Sequence, residues 1–317
     1  METLLVMLKN VMIFVLLAVP GFLLVRGKLV TGKDSHLLSK LLTYVGMPGL
    51  ILINTLDLNF TKEVTLSLVI TALVGTAFLL GTFLLSSLLT KDPNSKRRGM
   101  LRFCMVFANN GFIGIPLAKA VFPGNSELMA YLIVLNIVMN LTMFTLGAYL
   151  VSGDKKSMNL KKALLTPVLV AFVVGIILNL VGVAEKAPIA KTYINYFKEI
   201  VTPLSMLVLG IKLAEVPMKK LFTSSRMYFV SAIRLLAFPL LCVAMMLALN
   251  QIPGLGVNRN MVLGFFIAFS MPTAGLASAF ADQHKGDAEN AVICTLGTTI
   301  LSCATIPVLY WLLCMII

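Results

Sequence analysis

Ten runs of roughly twenty mainly apolar residues follow one another along the chain, with only short polar stretches between them. No other feature of the sequence restricts the fold as much. A helix that crosses a bilayer needs about 20 such residues, because each adds 1.5 Å against a hydrocarbon layer about 30 Å thick. The runs predict helices near 4–25, 37–56, 64–89, 99–122 and 127–151, then near 163–182, 193–214, 226–250, 258–283 and 288–316. Membrane β-barrels show short alternating segments instead of solid apolar runs. The chain therefore reads as an all-α integral membrane protein with ten transmembrane helices. The amino-terminal run has no basic leader and no small-residue cleavage site, and it is longer than a signal-peptide core, so it reads as the first membrane helix.

Charge supports the same reading. Only 12% of residues are charged, where soluble domains average about 25%. The net charge of +13 is compatible with nucleic-acid binding, but the charges sit in clusters between apolar runs, which membrane topology demands and nucleic acid does not. Eighteen of the 26 Lys and Arg residues fall in or beside the loops after helices 1, 3, 5, 7 and 9. Membrane proteins retain such residues on the cytoplasmic side. A multi-pass protein of the cytoplasmic membrane with both termini outside is the prediction. The five cysteines all lie inside apolar runs without paired or Cys-x-x-Cys spacing, and read as small buried residues. His36 and His284 are assigned to solvent or headgroup contact. No cofactor motif and no metal-ligand spacing are visible.

Helices 2, 4, 7 and 9 read as interrupted. Pro48 and Pro203 lie 155 residues apart, and Pro116 and Pro272 lie 156 apart. Helix-interior prolines recurring at nearly one offset suggest a five-helix unit used twice, over 1–155 and 156–317. Because five is odd, the second copy would lie inverted in the membrane, as in many secondary transporters.

Helix 4 contains Asn109, Asn110, Gly111, Gly114 and Pro116 at mid-membrane, and helix 9 contains Ser270, Pro272, Thr273 and Gly275. Proline removes an amide donor and glycine weakens a helix, so neither stretch continues well. Freed backbone groups at that depth must face protein or a water-filled cavity. Two broken helices meeting there would present half-helix N-termini to a ligand, which favours an anion such as a carboxylate. The plainer alternative is that both prolines only kink closely packed helices.

The stretch Asn109-Asn110-Gly111-Phe112-Ile113-Gly114-Ile115-Pro116-Leu117 resembles the helix-4 signature of the auxin efflux carrier family, whose bacterial members include malate-permease-like proteins. Met271-Pro272-Thr273-Ala274, with Gln283 and Gly286-Asp287, resembles that family's helix-9 region. The resemblance spans the chain, and its short loop after helix 5 is similar to the bacterial members. It implies a fold akin to bile-acid/sodium symporters, with broken helices 4 and 9 crossing at mid-membrane. A core of helices 3–5 and 8–10 would move against a scaffold of helices 1, 2, 6 and 7, in a possible homodimer. It implies transport of organic anions, with Asn109, Asn110, Gly111, Pro116 and Pro272 in the binding region. The acid that some plant members carry in helix 3 is absent here.

Charged residues inside a membrane are rare and often functional. Arg234, in helix 8, has three readings: a partner for an anionic substrate, a partner for Asp282, or a side chain snorkelling to the surface. Asn136 and Asn140 are one turn apart on helix 5 and share a face. With Thr298, Thr299 and Ser302 of helix 10 they could line the site, coordinate a cation, or simply join packed helices. No carboxylate stands out for sodium coupling, and no relay stands out for proton coupling. The sequence contains no catalytic cluster of an enzyme and no filter motif of a channel. A secondary transporter of small organic anions is the leading expectation, and a ligand sensor on the same fold is the alternative. Its partners would be the anion, the lipid bilayer and a sodium or proton coupling ion.

Overall fold

The computed structural model describes residues 2–215 and 218–317. Its principal helices, in chain order, are α1 (Glu2–Arg26), α2 (Gly32–Leu56), α3 (Lys62–Leu89), α4a (Ser95–Val106) and α4b (110–121), and α5 (Ser126–Ser152). They continue with α6 (Lys155–Leu180, its long regular part Pro167–Leu180 beginning after Thr166), α7a (Pro188–Glu199) and α7b (Val201–Glu215), α8 (Ser225–Asn250), α9a (Arg259–Ser270) and α9b (Ala277–Gln283), and α10 (Ala288–Cys314). Among the described residues, seven of these (α1, α2, α3, α5, α6, α8 and α10) are long and apolar enough to cross a membrane. The segments carrying α4, α7 and α9 are each divided.

Helix starts are written locally in the sequence. Thr61, Asn94, Asn125, Thr166, Asn258 and Asp287 each accept a hydrogen bond from an amide in the following first turn. Such caps satisfy donors that the helix itself cannot reach. The interruptions expected in helices 2, 4, 7 and 9 take different forms. In α2 the ladder widens into a π turn at Leu42–Gly46, just ahead of Pro48. Similar turns stand ahead of Pro116 and Pro239, at Asn110–Gly114 and Ile233–Ala237. Proline lacks the amide of the regular ladder and crowds the carbonyl four residues back, and the wider turn relieves both. The turn in α8, and a fourth at Met143–Gly147 in α5, had no counterpart in the sequence expectations. The chain between α7a and α7b passes through a single residue, Ile200.

Packing relies on close backbone approach. Gly21 of α1 and Gly210 of α7b sit against each other's helix, and Gly49 of α2 sits against Phe197 of α7a. Without hydrophobic drive between helices in lipid, such small-residue contacts supply much of the association energy. α5 is the most enclosed long helix, with α3 and α9a packed on it. Leu16, Leu73, Leu88 and Leu180 lie at the periphery and are more than 60% exposed, an arrangement suited to lipid and costly in water.

Candidate functional site: the crossing of the two broken helices

The chain leaves helical geometry at Phe107, whose φ and ψ are −95° and 119°, and again at Met271, at −68° and 151°. The two extended stretches pair side by side. Ala108 and Thr273 form an isolated antiparallel bridge, with the Asn109 amide donating to the Pro272 carbonyl at 2.7 Å and the Ala274 amide to the Phe107 carbonyl at 2.8 Å. Buried backbone groups need partners, and several of those freed here can be followed to one. The Cys104 carbonyl accepts from the Thr273 hydroxyl at 2.9 Å. The carbonyls of Met105 and Val106, ending α4a, both accept from Nη1 of Arg234 at 3.0 Å. Those of Phe269 and Met271, ending α9a, accept from its Nη2 and Nε. The Thr273 amide donates to the Thr298 hydroxyl of α10 at 3.1 Å.

Arg234 is thus wholly buried, and its guanidinium meets four main-chain carbonyls, with no carboxylate among its hydrogen-bond partners. A buried charge is tolerated only with such compensation. It neither snorkels nor meets Asp282, which is exposed. The π turn Ile233–Ala237 carries it to the crossing.

Beside the crossing lies a cavity of about 370 Å³. Its floor is formed by Ala108, Asn109, Gly111, Phe112, Ala274 and Gly275, and one wall by Met139, Asn140, Met143 and Phe144 with Asn136. Met47, Thr43, Tyr44 and Ser39 of α2 form the opposite wall, and His36, Lys40, Lys162 and Gln283 stand around the mouth. Among the described residues no aspartate or glutamate lines it. Polar groups converge on the floor. Asn140 donates through Nδ2 to the Asn136 carbonyl at 2.8 Å and to its Oδ1 at 3.0 Å, which leaves the Asn136 amide nitrogen beside Gly111. In α4b the first helical bonds return to the Asn109 carbonyl from Ile113 and Gly114. The amides of Asn110, Gly111 and Phe112 therefore precede the first closed turn, at the positive end of the helix.

At the mouth, Lys162 donates to Gln283 Oε1 at 3.2 Å and lies over the Phe144 ring at 5.2 Å. Among the described residues neither Lys40 nor Lys162 forms an ion pair. His284 is held below the usual imidazole range by burial and then by the Lys162 charge. Lys40 and Lys162 make the mouth cationic.

Of the twelve residues singled out in the sequence, Asn109, Gly111, Asn136, Asn140 and Gly275 line this cavity. The others stand behind it. Asn110 is fully buried and donates to the Leu132 carbonyl of α5 at 3.3 Å. Gly114 packs under Asn110 and Met271, and Pro116 begins the regular part of α4b. Pro272 and Thr273 form the crossing itself, while the buried Ser270 hydroxyl ends α9a. Sequence reasoning missed Lys40, Lys162 and Gln283 as cavity residues at the mouth, and Tyr44 in the π turn of α2. The signal of the two lysines was present as basic charge beside the loops but was read only as topology.

A second cavity, of about 400 Å³, lies on the other face of α4b, among α1, α7b and α10. Its lining is apolar apart from Thr299, Ser302 and Cys303, and the hydroxyls of Thr299 and Ser302 bond carbonyls of their own helix. A comparable volume without convergent polar groups makes it the weaker binding site. Thr298, Thr299 and Ser302 therefore do not join Asn136 and Asn140. Among the described residues no cluster of three or more His, Cys, Asp or Glu could hold a metal ion.

A family model described as "Membrane transport protein" matches the chain twice, over residues 5–160 and 155–310. The chain belongs to the membrane transport protein family. The two matches overlap over residues 155–160. A relative named as an uncharacterized transporter, from Methanothermobacter thermautotrophicus, is 29% identical over 304 residues, covering 94% of each chain. As a member of this family the protein is a transporter and not an enzyme, and its apolar helices make it a multi-pass membrane protein.

Proposed function

We propose that this membrane transport protein carries small organic anions, with carboxylates as the substrate class, through the cavity beside the crossing. The observation that carries the reading is a cavity, acid-free among the described residues, where the side-chain amides of Asn109 and Asn136, the latter oriented by Asn140, meet the unclosed first turn of α4b under a mouth holding Lys40 and Lys162. Amide donors and a helix N-terminus favour a carboxylate over a cation or a neutral solute, and an uncompensated cationic mouth raises the local anion concentration.

In this reading the ten segments are two five-helix repeats of opposite orientation in the cytoplasmic membrane. The mouth is on the side where Lys and Arg concentrate, so the cavity opens toward the cytoplasm and the described state is inward-facing. Helices α3–α5 and α8–α10 move against α1, α2, α6 and α7, which exposes Asn109 alternately to the two sides. The doubled family match and the pairing of the two interrupted helices support this arrangement.

The test is uptake of labelled mono- and dicarboxylates into proteoliposomes, with and without sodium and pH gradients. Saturable uptake that Asn109→Ala and Asn136→Ala each reduce at least tenfold, in folded protein, is the expected result. Uptake unaffected by both substitutions would place the path elsewhere. Dependence on one gradient would identify the coupling ion.

A further inference from the structure

Four helix ends meet at the crossing, the C-termini of α4a and α9a and the N-termini of α4b and α9b, and Arg234 bonds only carbonyls of the C-terminal pair. Aligned peptide dipoles place about half a negative charge at a helix C-terminus and about half a positive charge at an N-terminus. α4a and α9a, of 12 residues each, both end here, and together they bring about one negative charge to the back of the cavity floor. In the interior such a field reaches further than in water. It would oppose any anion resting on Asn109, only three residues beyond the end of α4a.

We propose that Arg234 is a fixed counter-charge for the crossing, a positioning residue that cancels the C-terminal charge of α4a and α9a and so keeps the cavity floor positive for an anion it never touches. Its position fits that role and no direct one. Arg234 is completely buried, lines neither cavity, and directs Nε, Nη1 and Nη2 to the carbonyls ending the two helices. A single positive charge meets the sum of two half charges. The planar fork also explains why arginine occupies the position. Lysine brings the same charge on one nitrogen with three donors and cannot reproduce the four bonds that the fork makes from three nitrogens. Charge and geometry are therefore separable by substitution.

The inference deepens the anion reading of this cavity, but its test needs no substrate. A cysteine placed at the floor by Asn109→Cys reports the local potential through its titration, because only the thiolate reacts and nearby positive charge favours it. The probe is iodoacetamide, with the label read by mass spectrometry at position 109 across pH 6–10 (a range set by the free thiol near about 8.5). With Arg234 present, the thiol is expected to titrate below about 8.5. Arg234→Lys should leave that titration within a few tenths of a unit while lowering the thermal midpoint. Arg234→Gln should raise it by a unit or more, with about tenfold slower labelling at pH 7.

A thiol at or above the free-cysteine value with Arg234 in place would overturn the inference, whether or not the Gln variant folds. So would equal titration in the Gln and Arg proteins. If the thiol behaves as expected but no carboxylate binds, the counter-charge stands and the substrate class falls.

Discussion

Replacing Gly210 by alanine tests whether α1 and α7b are held by direct backbone contact. A Cβ at this position would lie 1.9 Å from the Ala18 carbonyl oxygen, 2.8 Å from its carbon and 2.9 Å from the Phe22 nitrogen. From the other side, a Cβ on Gly21 would lie 2.2 Å from the Leu207 carbonyl oxygen. All of these neighbours are main-chain atoms, so no rotamer change relieves the clash. Ordinary contact begins near 3.4 Å, so the helices must part by about 1.5 Å. Overpacking of this kind costs about 1–3 kcal/mol. It outweighs the helix propensity that alanine gains over glycine, which is at most about 1 kcal/mol. A clash with rigid main chain sits at the upper end of that range, so the net loss is about 2 kcal/mol and, at about 2–4 °C per kcal/mol for a large domain, the thermal midpoint should fall by roughly 4–8 °C. Gly81 of α3 is the control, because a Cβ there meets nothing within 4 Å. Gly81→Ala should leave the midpoint unchanged or raise it slightly. Gly21→Ala combined with Gly210→Ala should cost less than the sum, because one opening relieves both contacts. The assay is thermal unfolding of purified protein in detergent, followed by circular dichroism. A Gly210→Ala protein as stable as its parent, or a Gly81→Ala protein equally weakened, would refute the packing argument.

Other expectations follow from single contacts. Gly111→Ala would place a methyl 3.0 Å from the Asn136 amide nitrogen, so carboxylate affinity should fall several-fold while the thermal midpoint moves by less than about 2 °C, by titration and thermal scan. Asn179 donates through one nitrogen to the carbonyls of Thr55, Leu56 and Leu58 at the end of α2, so Asn179→Leu should cost about 1–3 kcal/mol, read by thermal or detergent-induced unfolding. The Asp92 carboxylate is pulled down to about 2, first by hydrogen bonds from Arg97. A depressed carboxylate stabilises the fold above its unfolded value, near 3.8, and loses that contribution as pH falls toward about 2. The midpoint difference between the parent and Asp92→Asn should be constant from about pH 5 to 8 and shrink below about pH 4. A difference as large at pH 3 as at pH 6 would contradict it.

Much of the fold was legible because lipid leaves few options. Every backbone group must be satisfied inside its own segment, so a run of twenty apolar residues has one reading. The breaks in α4 and α9 were legible for a related reason: Asn109-Asn110-Gly111 and Met271-Pro272 are poor helix at a depth where poor helix needs a purpose. What those breaks become was not legible. Only the paired strands at Ala108 and Thr273 reveal that the freed carbonyls face Arg234, so an arginine with three plausible fates had a fourth. The amides divided for the same reason. Asn109 and Asn110 are neighbours in sequence, yet the turn between them sends one to the cavity and the other under α5. Lys162 and Lys40 were hidden by their own usefulness as topology signals, since a loop charge and a cavity charge look alike until the helices are placed.

The most direct test of the central claim is thermal stabilisation of the purified protein by a panel of small mono- and dicarboxylates beside their neutral amides. Selective binding at a hundredfold excess over Kd adds about 2.7 kcal/mol by linkage. The account requires an upward shift with at least one carboxylate, none with its amide, and loss of the shift in Asn109→Ala. Equal shifts for acid and amide, or a carboxylate shift that survives Asn109→Ala together with Asn136→Ala, would contradict an anion site at the crossing.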